Sequence, residues 1–214
     1  MSPFGRGWGW EPAERESQGF LTPIWQLVYS GYRLSFGFYF YDPREWIAKL
    51  ATQYLWGLQI GWAPQHDPAA NPVNARFERE CARARYAASD YLALGEMLRD
   101  PVLTGNFPRY KTVWTNFSTD IPVDWPSVKG SLWKAPDGSL GLALVNLNTA
   151  TQKVTFTISR RDSGIGAAPV LVSDLYPLGM CPDILLPAGT LTSTVTLPAQ
   201  SAVMLVLRAT RAKA

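Results

Sequence analysis

Two hydrophobic periods divide the chain. Between Asp42 and about residue 100 apolar side chains recur every three or four positions, and beyond Pro101 they alternate, so a mainly helical first half and a β-rich second half are predicted. The stretch "YDPREWIAKLATQYLWGLQIGW" announces the first helix. Asp42 suits an N-cap, Pro43 the first helical position and Glu45 the far side of a capping box, which together satisfy the orphan N–H groups of a helix start. Its apolar face runs Trp46, Leu50, Tyr54, Leu58. A second helix is predicted across "NPVNARFERECARARYAASDYLALGEMLRDP", from Asn71-Pro72 to Asp100-Pro101, with Phe77, Cys81, Ala84, Ala88, Tyr91, Gly95 and Leu98 on one narrow face. Glu78, Glu80, Arg83, Arg85, Asp90 and Glu96 fall opposite and read as a solvated face.

In the second half, "VKGSLWKAPDGSLGLALVNLNTATQKVTFTIS" predicts an antiparallel meander. A turn at Pro136-Asp137-Gly138 separates its first strand from one carrying Leu140, Leu142 and Leu144, and a turn after Asn146 leads to Val154, Phe156 and Ile158. Adding "APVLVSDL", "GTLTSTVTL" and "SAVMLVLRA" gives a β-sandwich of about seven strands, with Trp114, Trp125 and Trp133 expected between its sheets. The boundary falls in "PVLTGNFPRY", dividing residues 1–104 from residues 105–214.

Composition narrows the partners. The 214 residues include nine Trp, nine Tyr and nine Phe, an excess of rings that a core of this size does not by itself demand. The net charge of +3 comes from 20 basic and 17 acidic residues without any basic run longer than the pair Arg160-Arg161, so nucleic acid is not an expected partner. Cys81 and Cys181 lie far apart and outside any CxxC or Cys/His cluster, which supports neither a disulfide framework nor a zinc site, and no cofactor or metal is expected. The N-terminus lacks a basic region followed by an apolar one, and the uncharged stretch from Leu50 to His66 is too short to span a membrane. Neither export nor membrane anchoring is expected from these features, and they assign no compartment.

The rings concentrate in "TPIWQLVYSGYRLSFGFYF", where Ile24 to Tyr29 reads as a strand. One such strand and two helices cannot cover both faces of a parallel sheet, so these elements look like part of something larger. The order of parts, from "LVYSGY" through the long helix to "SLWKAPDGSLGLALVNLN" and "AQSAVMLVL", resembles the C-terminal end of glycoside hydrolases that join a (β/α)8 barrel to an antiparallel β-sandwich. More narrowly, "TPIWQLVYSGYRLSFG" is similar to a segment near the last barrel strand of glycosidase-like bacterial families of unknown function, and the similarity runs from about Pro23 to Leu207. The resemblance implies an α/β plus all-β fold: one or two terminal barrel strands and two long helices, then the sandwich. It also implies several hundred further residues upstream that carry most of the catalytic carboxylates.

Carbohydrate is the partner this resemblance implies. Tyr29, Tyr32 and Arg33 follow the expected strand directly and would lie at the barrel mouth, where binding groups gather and aromatic faces can pack on pyranose rings. The loop "GWAPQHDPAANP" adds Trp62, the single histidine His66 and Asp67, which suit either a ligand hydroxyl or an exposed loop. Glu11, Glu14 and Glu16 could reach an active site, whereas Asp42 and Glu45 are better explained as caps, and no carboxylate pair stands out. Two other readings stay open: a non-catalytic carbohydrate-binding or protein-interaction module, and self-association through an exposed barrel edge.

Overall fold

The computed structural model describes residues 27–28, 37–61, 67–116, 119–189 and 191–210, and the account below concerns those residues. They form a mostly antiparallel β protein with few helices. A 3-10 turn (Pro43–Glu45) leads into α1 (Trp46–Leu55), followed by α2 (Asp67–Ala70), α3 (Pro72–Ala87) and α4 (Ser89–Leu92). The strands are β1 (Glu96–Met97), β2 (Val102–Thr104), β3 (Arg109–Asn116), β4 (Thr119–Pro126), β5 (Val128–Lys134), β6 (Leu140–Asn146) and β7 (Gln152–Ile158). After α5 (Arg160–Ser163) come β8 (Val170–Tyr176), β9 (Ile184–Leu186), β10 (Leu191–Leu197) and β11 (Ser201–Ala209).

A six-stranded sheet in the order β1-β5-β6-β11-β8-β9 forms the middle layer. Its central strands β6 and β11 carry apolar residues on both faces, and seven consecutive residues of each are buried. On one face Leu140, Leu142, Leu144, Val203, Leu205 and Leu207 meet Val154, Phe156, Val195 and Leu197 of a three-stranded sheet, β10-β7-β2, which is the sandwich the alternation predicts. On the other face Ala143, Val145, Ala202, Met204 and Val206 pack under α1 and α3. The uniform burial along β6 and β11 follows from being covered on both sides, and full burial of a Leu or Val is worth about 1.5–3 kcal/mol.

The expected meander is cut after its second strand. β5 and β6 pair around the predicted turn, but β7 crosses to the opposite sheet and pairs with β10 and β2. Asn146 closes the crossover: its Nδ2 donates to the carbonyls of Ala150 at 2.9 Å and Pro198 at 2.7 Å, while its Oδ1 accepts from Asn148 N. The tryptophans also differ from expectation. Trp114, Trp125 and Trp133 belong to the core beneath the helices and not to the space between the sheets: β3 and β4, which carry the first two, form a separate hairpin laid against α1, and Trp133 on β5 turns to the helical face, where its Nε1 donates to Leu55 O at 3.2 Å.

The second helix is shorter than its periodicity suggests. α3 ends at Ala87, and after α4 the chain turns at Gly95 so that Glu96 and Met97 pair with Lys134 and Trp133. The predicted face nevertheless packs, with Phe77, Cys81, Ala84, Ala88 and Tyr91 buried. Arg85 leaves the expected solvated face and donates to the carbonyls of Leu58 at 2.7 Å and Gly57 at 3.2 Å. Those bonds, with the Ser131 hydroxyl on Leu55 O at 2.6 Å, satisfy carbonyls at the end of α1. The Tyr54 hydroxyl donates to Val203 O at 2.7 Å and ties α1 to the central strand.

The strand expected at Ile24 to Tyr29 is not borne out where it is described: Leu27 and Val28 are helical and exposed. A short apolar run fits either period, and Leu27 and Val28 take the helical one, while Ile24, Trp25, Gln26 and Tyr29 lie outside the described residues.

Candidate functional site

The chain enters α1 through an extended segment in which aromatic residues alternate. Phe38 and Phe40 are 6% and 1% exposed, whereas Tyr39 and Tyr41 are 38% and 45% exposed. Extended backbone points successive side chains to opposite sides, so a phenylalanine row faces inward and a tyrosine pair outward. Inside, Phe38 meets the Trp114 ring edge-on at 5.0 Å and Phe40 stacks on Trp46 at 4.9 Å. Outside, the Tyr39 and Tyr41 rings lie 4.8 Å apart in an edge-on arrangement. Gly37 permits the close approach that starts the segment, since a Cβ there would stand 2.3 Å from Gln59 O.

An enclosed ion pair holds this segment. Lys49 Nζ lies 2.8 Å from Glu45 Oε1, and both side chains are almost completely removed from solvent. Glu45 Oε1 also accepts from the backbone N–H groups of Tyr41 and Asp42, while Oε2 accepts from Thr115 N at 2.7 Å. Lys49 donates to Tyr39 O at 2.7 Å and to Thr115 O at 3.4 Å, and its ammonium sits 5.1 Å from the Tyr41 ring centre. Burial pushes the Lys49 amine below its ordinary range, against the pull of Glu45. Burying two charges is costly unless hydrogen bonds satisfy them, and here three backbone segments converge to do so. The pair therefore locks the tyrosine segment, α1 and β3 into one geometry.

A second, exposed network begins at the residue after Tyr41. Asp42 caps the helix start as predicted, accepting from Arg44 N at 2.8 Å, with Glu45 completing the box. Arg44 grips the same carboxylate through Nε at 2.9 Å and Nη2 at 2.8 Å, and Nη2 also reaches Asp120 Oδ2 at 2.9 Å. Asp120 is further fixed by the Thr115 hydroxyl at 3.0 Å. Hydrogen bonds from Arg44 hold the Asp42 carboxyl below the usual carboxylate range. An Asp42 carboxylate so stabilised accepts hydrogen bonds at neutral pH but has no proton to give, so it lacks what a general acid in glycoside hydrolysis needs.

Of the residues the sequence singled out, Tyr29, Tyr32, Arg33, Trp62 and His66 lie outside the described residues, as do Glu11, Glu14 and Glu16. Asp67 is the first residue of α2, which runs into α3. The structure brings together two groups, Tyr39 with Tyr41, and Asp42 with Arg44 and Asp120. The alternation "FYFY" was a signal for the first two, but Asp120 comes from a hairpin more than seventy residues away and no local pattern points to it. Among the described residues no group of three or more His, Cys, Asp and Glu could hold a metal ion, and no helix is long and apolar enough to cross a membrane. Cys81 and Cys181 are free thiols, and burial pushes Cys81 well above its ordinary range.

The fold and site thus define a mostly antiparallel β protein with a helical layer and an open pair of tyrosine rings. No family model and no curated protein matches the sequence. Among solved structures, a Bacillus halodurans protein proposed to be an α-N-acetylgalactosaminidase is similar at 11% identity and a TM-score of 0.41, over 80% of this chain and 32% of that one. The α-galactosidase of Saccharomyces cerevisiae, solved with raffinose, gives 10% identity and a TM-score of 0.40 over 81% of this chain and 45% of its own. A β-L-arabinopyranosidase from Geobacillus stearothermophilus gives 10% and 0.38, covering 81% and 32%. The chain therefore spans 32% to 45% of the length of these glycoside hydrolases, at a loose likeness from which no activity follows.

Proposed function

We propose that this chain is the C-terminal part of a glycoside hydrolase-like enzyme, contributing one wall of a carbohydrate cleft together with an accessory β-sandwich. The observation that carries the reading is the split of the entry segment into buried Phe38 and Phe40 and open Tyr39 and Tyr41. Rings presented to water on a rigid base suit the apolar C–H faces of a sugar, and the enclosed Glu45–Lys49 pair supplies that rigidity. In this reading residues 1–104 belong to the cleft-bearing part, Tyr29, Tyr32, Arg33, Trp62, His66 and Asp67 extend the wall, and residues 105–214 form the accessory domain. The proton-transferring carboxylates come from sequence upstream. Reading the coding DNA ahead of Met1 tests this: an in-frame segment encoding most of a (β/α)8 barrel is expected, and a stop codon directly upstream overturns it.

A second reading, a non-catalytic carbohydrate-binding module, rests on the same open Tyr39 and Tyr41 rings. That reading predicts sugar binding with no barrel encoded upstream.

A further inference from the structure

We infer that β10 is a pairing edge for a second copy of this chain: two β10 strands meet antiparallel about a two-fold axis at Thr194 and join two three-stranded sheets into one, in the order β2-β7-β10-β10-β7-β2. This interface is independent of the carbohydrate reading. An edge strand offers unpaired N–H and C=O groups to any other strand, and proteins blunt such edges by shortness, charge, proline or a bulge. Among the described residues the other edges are blunted. β1 has two residues, and β2 and β9 have three each. The strands of the separate hairpin are longer, but β3 carries Arg109 and Lys111, and β4 carries Asp120, Pro122, Asp124 and Pro126. β10 has none of these devices. Its seven residues, "LTSTVTL", include no charge and no proline, and they pair with β7 in unbroken register while no described strand flanks the other side.

The sequence of the strand identifies the occupant, because "LTSTVTL" reads almost alike in both directions. Antiparallel pairing centred on Thr194 sets Leu191 opposite Leu197, Thr192 opposite Thr196 and Ser193 opposite Val195, so every residue but those last two meets its own type. The two faces agree as well. Leu191, Val195 and Leu197 are buried on the sandwich side, where apolar meets apolar and the two cores continue across the join. On the outer side threonine hydroxyls already pair between β7 and β10, Thr155 with Thr194 at 2.7 Å and Thr157 with Thr192 at 3.0 Å, and the row extends through the threonines of the second copy. A strand without charges brings no like charges together on the axis. Pairing an edge with the same edge is isologous, so it consumes both and stops at two copies.

Sedimentation-velocity ultracentrifugation of the full chain over a dilution series tests the interface, and a reversible monomer–dimer equilibrium is expected. Thr194 is exposed, so the folded chain accommodates Thr194→Lys and Thr194→Glu. On the axis each sets two like charges opposite one another and is expected to raise the dimer dissociation constant about tenfold or more. Mixing the two variants in equal amounts sets opposite charges together and should restore the dimer. Thr104→Lys, on the far edge of the same sheet, should leave dimerisation unchanged. Far-UV circular dichroism matching that of the parent shows that the variants are folded. A parent chain that stays monomeric, a dimer that survives both Thr194 substitutions, equal loss with Thr104→Lys, or an equal mixture that stays monomeric overturns the pairing. None of these outcomes bears on whether a barrel is encoded upstream.

Discussion

Replacing Glu45 or Lys49 alone leaves its partner buried and uncompensated, which costs about 3–5 kcal/mol, whereas replacing both with uncharged residues of similar volume costs less. A denaturant double-mutant cycle with Glu45→Gln, Lys49→Met and the pair is expected to show that the double variant is more stable than either single one; additive losses would show that the pair is not coupled. Lys129 offers a separate test. Its ammonium lies 4.1 Å from the centre of the Trp125 ring, and burial pushes its pKa from the ordinary 10.5 to about 7. Between those values the unfolded chain binds more protons than the folded one, so stability rises with pH from about 7 toward 10. Lys129→Met should remove part of that rise, read as the difference in Tm between pH 7 and 9.5; identical slopes would mean that Lys129 titrates normally.

Among the elements, those specified by neighbours in sequence were legible and those specified across the fold were not. The box of Asp42, Pro43 and Glu45 was readable because a cap acts within four residues, and β5 and β6 because their turn joins them directly. The second role of Glu45, as the buried partner of Lys49, was hidden because Thr115 and the hairpin that enclose it lie seventy residues on. The crossing of β7 was equally hidden, since alternation marks a face but not which sheet the strand joins. The "FYFY" row stood in plain sequence, while the bridge from Arg44 to Asp120 required β4 to bring Asp120 in. The end of α1 gives an element-scale prediction. Gly57 adopts φ +64°, and a Cβ there would stand 2.4 Å from Leu92 O and 2.9 Å from the Trp133 ring. Gly57→Ala should lower unfolding free energy by about 2 kcal/mol or more in denaturant titration, and a loss below half that would show that α4 yields easily.

For the whole molecule, one apolar cluster runs from Phe38 and Trp46 through α3 to Met204 and Val206, so the helical layer and the six-stranded sheet share a core. Shared burial predicts one cooperative transition by fluorescence and by far-UV circular dichroism, and two separated transitions would contradict it. It also means that residues 105–214 expressed alone would expose the face bearing Trp133, Ala143 and Met204, a surface prone to aggregation. The central claim, that this chain binds sugar while the proton-transferring carboxylates lie upstream, is tested most directly by hydrolysis of a panel of p-nitrophenyl glycosides. The chain as given and a polypeptide extended through the upstream reading frame are assayed side by side. Turnover is expected from the extended protein alone; turnover by the given chain, or none by an extension that carries a barrel, would contradict the account.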